Sequence, residues 1–294
     1  MRLTRFRIRS FALAGVALLF CLPMVVAQDG QVLMPEQSEA KAKQLLQQTI
    51  QAMGGNAYLN VRDMTCIGRL GQFGHSGELN GFEQFQDYVE PPDMSRTENL
   101  PKRNIVEVYN KDMGWTLDRG GVAEAPTADL IRFQEGVKKD LGNILRHRLH
   151  EPDMIFRYAG IDIVDLHEVD WVELTDSEDR TLRIAIDRVS HLPIRRDVEQ
   201  RNEKTRVTTK EIDLYSNYHP IDGIQTAFQI ERSRNGIKIY QVFFDSCQYN
   251  TGLPASLFTK ESLDDRWQKT GKGERAKEKK HEKKEEKAEA SSSQ

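Results

Sequence analysis

Cysteine is scarce in this chain, with Cys21, Cys66 and Cys247 the only three in 294 residues. Isolated cysteines do not supply the paired spacing of a structural zinc site. The sequence also lacks a Gly-x-Ser-x-Gly nucleophile elbow, a phosphate-binding glycine-rich loop ending in Lys-Ser/Thr, and a His-Glu-x-x-His zinc motif. We therefore predict a non-catalytic protein that uses neither a metal nor a cofactor.

Long apolar runs are absent after the first 27 residues. Before that point, a start rich in arginine leads into an apolar stretch from Phe11 to Ala27. This order is typical of a cleavable export signal, and it predicts a cut after Ala27 and a periplasmic protein that begins at Gln28. A membrane anchor and a lipoprotein signal that uses Cys21 are the alternatives.

The chain between its two ends has no excess of positive charge. Residues 28–268 contain 29 basic and 39 acidic residues, which excludes a body built to bind nucleic-acid phosphates. Residues 269–294 contain nine Lys or Arg and six Glu and no large apolar side chain, so we predict a disordered or partly helical tail. The predicted organisation is a signal over 1–27, a folded domain over 28–268 and a tail over 269–294.

Two stretches have the apolar periodicity of an amphipathic helix. The first runs from Pro35 to Met53, where Gly54-Gly55 should end it, and the second runs from Thr127 to Leu149. About a dozen short segments between residues 64 and 247 alternate apolar and polar residues, as strands do. The turn residues Asn235-Gly236 between two such segments predict a hairpin.

These elements predict one α+β domain. An antiparallel sheet of about 11–12 strands has to curl, so we expect a strongly curved half-barrel with the helices covering its concave face. The charged residues should form the solvent face of this sheet. Its other face should hold either packed side chains or a cavity for an apolar ligand.

Seven aromatic residues on predicted strands are candidates to line such a cavity. They are Phe82, Phe85, Trp115, Trp171, Phe228, Tyr240 and Phe243. Packing in a filled core would place aromatic residues on strands as well, so the pattern leaves both interpretations open. Within a cavity, each buried CH₂ group of an acyl chain would contribute about 0.8 kcal/mol to binding.

Cys66 and Cys247 remain after removal of the signal, near the two ends of the strand-rich region. In an oxidising compartment a disulfide between the first and last strands would close the sheet. A loop of this length would stabilise the fold by up to about 4–5 kcal/mol in the chain-entropy model. Two buried free thiols are the alternative.

Four carboxylates lie close together in the sequence and are candidates for acid–base chemistry: Asp162, Asp165, Glu168 and Asp170. An enzyme would require two of them to meet in a pocket, with the pKa of one raised. The solvent-facing side of a strand also places carboxylates at such positions, and we favour this second interpretation.

Four short stretches together resemble the outer-membrane lipoprotein-sorting family of LolA-, LolB- and LppX-like periplasmic carriers. They are Ile50 to Tyr58 (IQAMGGNAY), Ile186 to Arg196 (IDRVSHLPIRR), Tyr218 to Gln225 (YHPIDGIQ) and Leu253 to Phe258 (LPASLF). The resemblance implies an incomplete, curved antiparallel barrel with a helical lid and an apolar cavity that takes acyl chains.

The same resemblance implies the function of lipoprotein sorting to the outer membrane. Its partners would be lipid acyl chains or a lipidated protein, with a membrane-bound donor or acceptor. Two features depart from the family pattern: the Lys/Glu tail, and a heavily charged second half that includes Arg195-Arg196. The alternative is a structural or interaction module of the cell envelope with a filled core and no ligand.

Overall fold

A computed structural model of the protein describes residues 33–201 and 206–269. The predicted export signal lies outside the described residues, and so does the predicted tail after residue 269. No helix among the residues described is long and apolar enough to cross a membrane.

The first predicted helix is confirmed. Helix α1 spans Pro35–Met53 with Pro35 in its first turn, and it ends at Gly54, whose φ of 128° is open to glycine but strained for other residues. The further helical segments are α2 (Asn56–Leu59), α3 (Thr127–Lys139), α4 (Leu141–Asn143) with the π-helical turn Ile144–Arg148 that continues it, a 3₁₀ turn (Ala255–Phe258) and α5 over 260–269.

The second predicted helix is wrong as a single element, because the chain breaks at Asp140. This residue has an extended backbone, and its Oδ1 accepts a hydrogen bond of 2.8 Å from the N–H of Asn143, which starts α4. The last carbonyls of α3, on Lys138 and Lys139, accept hydrogen bonds from the guanidinium groups of Arg148 and Arg196. The end of α3 is thus set by side chains that are distant in sequence or lie beyond the break.

Thirteen strands form one sheet within the described residues. They are β1 (Met64–Phe73), β2 (Leu79–Glu90), β3 (Met94–Leu100), β4 (Val106–Asn110), β5 (Met113–Asp118), β6 (Gly121–Glu124), β7 (Ile155–Val164), β8 (His167–Thr175), β9 (Thr181–Asp187), β10 (Pro193–Arg201), β11 (Thr208–Ile221), β12 (Ile224–Arg234) and β13 (Ile237–Tyr249). Their order across the sheet is β6-β5-β4-β3-β2-β1-β13-β12-β11-β10-β9-β8-β7. Strands that follow one another within β1–β6 and within β7–β13 pair antiparallel as two meanders, and β1 pairs antiparallel with β13.

The sheet is open, with β6 and β7 at its edges, which is consistent with the predicted half-barrel. The strand that the sequence pattern missed is β6, whose four residues contain one large apolar side chain, Val122. The pairing of β1 with β13 joins the meander β1–β6 to the meander β7–β13. The middle of the sheet therefore brings together two segments that are far apart in sequence.

Helical segments pack on both faces of the sheet. On β4, Tyr109 stacks on Phe133 of α3, with their ring centroids 4.6 Å apart. Because side chains alternate along a strand, the neighbouring Val108 points the other way, and it packs in a buried cluster with Phe258 and Leu263 of the C-terminal segment. Helix α1 packs its buried stripe, which includes Leu46, against the strands of the second meander.

Candidate functional site

A cavity of about 420 Å³ lies between the helical segments and the sheet. This volume falls in the range of about 300–1,000 Å³ that small-molecule pockets occupy. Its apolar and aromatic lining residues are Met53, Tyr58, Val61, Met64, Val89, Pro91, Pro92, Met94, Phe133, Val137, Leu141, Tyr215, Tyr218, Ala227, Ile230, Phe244 and Tyr249. Its polar lining residues are Ser95, Asp140, Asn143, Arg146, Gln225 and Thr226.

The strand register explains how the sheet side of the cavity is built. Tyr249, Met64, Val89 and Ser95 are successive partners across β13, β1, β2 and β3. Directly opposed residues of an antiparallel pair point to the same face. One residue from each of four strands therefore contributes to a continuous wall, although the strands come from opposite ends of the chain.

The structure places the seven predicted aromatic residues at several sites. Phe85 is buried, and its ring centroid lies 6.0 Å from that of Phe244, which does line the cavity. Phe82 and Phe243 contact each other with centroids 6.3 Å apart, and Phe82 is exposed. By strand alternation, these two point to the face opposite Phe85.

The other four lie in different environments. Trp115 packs against the buried cluster that contains Phe258, and Trp171 is buried beneath the guanidinium of Arg183 at 4.5 Å. Phe228 contacts the ring of His219, and Tyr240 contacts the guanidinium of Arg232. Among the described residues, the cavity wall contains none of the seven. Alternation distinguishes two faces of a strand but does not tell which of them the helices will cover.

The four candidate carboxylates do not converge on the cavity. Asp162 and Asp165 are exposed, whereas Glu168 forms an ion pair of 2.8 Å with Arg188. Asp170 accepts a hydrogen bond of 2.8 Å from the Tyr158 hydroxyl. Over the described residues, no group of three or more His, Cys, Asp or Glu side chains has a metal-binding arrangement.

Comparison with known proteins relates this architecture to solved structures. No family model matches the chain, and no curated protein matches its sequence. A DUF1329 family protein from Desulfovibrio piger is 15% identical with a TM-score of 0.53, and the match covers 76% of this chain and 98% of that chain. A domain assigned to the outer-membrane lipoprotein-sorting proteins, from Vibrio parahaemolyticus, is 13% identical with a TM-score of 0.52, covering 77% and 99%.

The chain shares its fold with these two solved proteins, one of which is described as a lipoprotein-sorting domain. The resemblance seen in four short sequence stretches is thus confirmed for the fold. Two of these stretches contribute to the cavity: the first supplies Met53 and Tyr58, and the third supplies Tyr218 and Gln225.

A buried ionic cluster lies on the second meander of the sheet. The Asp213 carboxylate is paired with Arg196, and it accepts hydrogen bonds from Arg232, including one of 2.8 Å from Nη2, and one of 3.2 Å from the Tyr215 hydroxyl. Arg196 and Asp213 are each 1% exposed. The prediction that the charged residues form the solvent face is therefore wrong here, because strand register pairs Arg196 with Asp213 on a covered face.

The middle of the sheet is cross-linked by a disulfide. Cys66 and Cys247 are register partners with Cα atoms 4.2 Å apart, and a disulfide joins them. The same row continues to Asp87 on β2 and Thr97 on β3. Each residue of this row lies two positions along its strand from a residue of the cavity wall, and so it points to the same face of the sheet.

Asp87 is the titratable group of this row. Its Oδ1 is buried and has no hydrogen-bond partner among the described residues. Burial raises the pKa of Asp87 to about 6. A hydrogen bond from Thr97 opposes this increase, and the negative charge of Glu107 adds to it. The folded protein therefore holds this proton more tightly than the unfolded chain does.

We expect Asp87→Asn to remove part of the pH dependence of stability. In the native protein, the protonated Asp87 side chain contributes fully to stability below the unfolded pKa of 3.8, and this contribution is lost as the pH rises through about 6. The variant should be more stable than the native protein at pH 7.5 by about 2–3 kcal/mol. Urea denaturation between pH 4 and pH 8 would measure this difference.

Asp112→Asn, in the exposed turn between β4 and β5, is the matched control for this experiment. It makes the same chemical change without burial, so its curve should follow that of the native protein. Curves for Asp87→Asn and the native protein that run parallel over this pH range would contradict the prediction.

Proposed function

We propose that the protein is an exported, non-catalytic carrier that binds the acyl chains of a lipid or lipoprotein in its cavity, as in transport to the outer membrane. The cavity of about 420 Å³ between the helical segments and the sheet carries this proposal. Its wall is formed mainly by aliphatic, methionine and aromatic side chains, which gain free energy when an acyl chain displaces water.

Physical chemistry supports a carrier in particular. Each CH₂ group transferred from water contributes about 0.8 kcal/mol, so a few methylenes suffice for measurable binding. Transfer of an acyl chain between sites breaks no covalent bond and requires no catalytic residue. The lipoprotein-sorting fold adds support at the level of architecture.

A filled structural module is the alternative, and the cavity favours the carrier over it. A filled module would leave few apolar side chains exposed in a recess of its surface. The space of about 420 Å³ is a solvent-accessible pocket with a mainly apolar wall, and Met53 and Met64 in this wall have flexible side chains that adapt to different ligands.

Ala227→Trp tests the cavity directly, because Ala227 lines it with the smallest side chain on β12. We expect the indole to occupy the acyl site and to weaken binding of a fluorescent fatty acid by about ten-fold or more, the loss of about two buried methylenes. Fluorescence titration measures this affinity, and native mass spectrometry of the freshly purified protein should show bound lipid.

Ala123→Trp, at an exposed position of β6, is the matched control and should bind the fatty acid as the native protein does. Circular dichroism of both variants would verify that they fold. A native protein that is free of lipid in the mass spectrometer and takes up no fluorescent fatty acid would refute the carrier.

A further inference from the structure

A second, larger space adjoins the cavity. It is an open groove of about 1010 Å³ between α1 and the π-helical turn, and we call it the helix groove. Leu46, Ile50 and Leu145 supply apolar surface there. Arg146 belongs to the walls of both the helix groove and the cavity, so the two spaces meet at its side chain.

The helix groove differs in charge from the rest of the domain. Among the described residues, its ionisable lining residues are Lys43, Arg146, His150 and His191, with no Asp or Glu in the lining. Lys43 is ion-paired with Glu39 at 2.6 Å, so Arg146 supplies the positive charge that is not neutralised by an ion pair. By contrast, residues 28–268 carry ten more acidic than basic side chains. A basic groove on an acidic domain is complementary to an anionic ligand.

Arg146 has unused hydrogen-bonding capacity at this junction. Its Nε is buried and has no hydrogen-bond partner, and no carboxylate of the described residues forms an ion pair with its guanidinium. Its contact is with the face of the Tyr58 ring, 4.7 Å from the centroid. Asp140 lies near this guanidinium, since both side chains border the Cβ position of Gly142, but its Oδ1 accepts from the N–H of Asn143 and forms no ion pair with Arg146.

The backbone holds Arg146 in this position. It is the central residue of the π-helical turn, a rare conformation that is frequent at functional sites. Gly142 lies beneath its guanidinium and leaves room for Nη2 where a Cβ atom would stand. Burial together with the charge of Arg146 lowers the pKa of His147, and the charge of Asp140 opposes part of this decrease.

We infer that Arg146 binds the anionic headgroup, a carboxylate or a phosphate, of an acyl ligand whose chain lies in the cavity. This inference rests on the proposed function and adds the headgroup class to it. A planar guanidinium forms paired hydrogen bonds with either anion. Because Arg146 lies at the junction of a basic groove and an apolar cavity, one ligand can use both.

Palmitate and 1-hexadecanol separate the two parts of the site, since they share a chain length and differ in charge. We expect Arg146→Gln to weaken palmitate binding at pH 8 by about ten-fold or more, because charged hydrogen bonds are lost. Hexadecanol should bind the variant within about two-fold of the native affinity. Isothermal titration calorimetry measures both, and Arg146→Lys should restore part of the palmitate affinity.

Arg69→Gln, an exposed arginine on β1, is the control and should leave both affinities unchanged. An equal loss for palmitate and hexadecanol in Arg146→Gln, or no loss for either, would overturn the headgroup role while the carrier proposal stands. A native protein that binds neither ligand would refute the carrier proposal and the inference with it.

Inorganic phosphate distinguishes a lipid headgroup from a free anion. It should compete weakly with palmitate and should not displace hexadecanol. Phosphate that binds in an Arg146-dependent manner, in a protein whose palmitate affinity does not depend on Arg146, would indicate a free-anion site and overturn the lipid assignment.

Discussion

Replacing both Cys66 and Cys247 with alanine should lower the free energy of unfolding by about 4–5 kcal/mol. The disulfide closes a loop over a sequence separation of 181 residues, which strongly restricts the unfolded chain. It also bridges β1 and β13, the strand pair that joins the two meanders. The loss is a large fraction of the about 5–15 kcal/mol that stabilises a typical domain, so the urea midpoint should fall strongly.

Urea denaturation with and without a reductant checks this expectation. The native protein should become less stable when a reductant is present, whereas the double alanine variant should be insensitive to it. That insensitivity serves as an internal control for effects of the reductant itself. A double variant within about 1 kcal/mol of the oxidised native protein would show that the bridge adds little to what the strand pairing already supplies.

Asp213→Asn should destabilise the protein by about 3–5 kcal/mol, because it leaves the buried guanidinium of Arg196 and the partly buried one of Arg232 without a counter-charge. Arg196 is 1% exposed, and Arg232 bonds the same carboxylate. Although burial alone would raise the pKa of Asp213, the charges of Arg196 and Arg232 outweigh it and lower the pKa. The native protein should therefore lose this stabilisation as the pH falls through the acid range, and the variant should lack that dependence.

Glu199→Gln is the matched control for this variant. Glu199 lies on β10 next to the cluster and pairs with Lys210 at 3.4 Å, but its side chain is 55% exposed. Exposed ion pairs contribute about 0–1 kcal/mol, so the control should change the urea midpoint little. Equal effects of Asp213→Asn and Glu199→Gln would contradict the assignment of Asp213 as the centre of a buried cluster.

Local signals in the sequence predicted individual elements well. Local residues mark both ends of helix α1, with Pro35 in its first turn and Gly54 just after its last residue, and the structure confirms these bounds. The hairpin of β12 and β13 is confirmed too, with positive φ angles at Asn235 and Gly236. Each of these features depends on residues that are neighbours in the chain.

Structural features that depend on residues distant in sequence could not be predicted from local patterns. The break at Asp140 is stabilised in part by Arg196, which comes from β10, and the sequence pattern alone favoured one continuous helix. The seven predicted aromatic residues lie on strands, yet the part of the cavity wall formed by described residues consists of other side chains. Arg146 carried no local signal at all, since a single arginine in an amphipathic stretch is typical of a solvent-facing position.

The sequence by itself determined the class of the domain, the position of α1, most of the strands and the scarcity of catalytic motifs, because these follow from composition and short-range periodicity. Only the tertiary structure decided which face of each strand is covered, that Arg196 and Asp213 are buried together, and that Arg146 lies where a basic groove meets an apolar cavity. The physical reason is that β1 and β13 come from opposite ends of the domain. Their pairing sets which side chains share a face, and no local pattern encodes it.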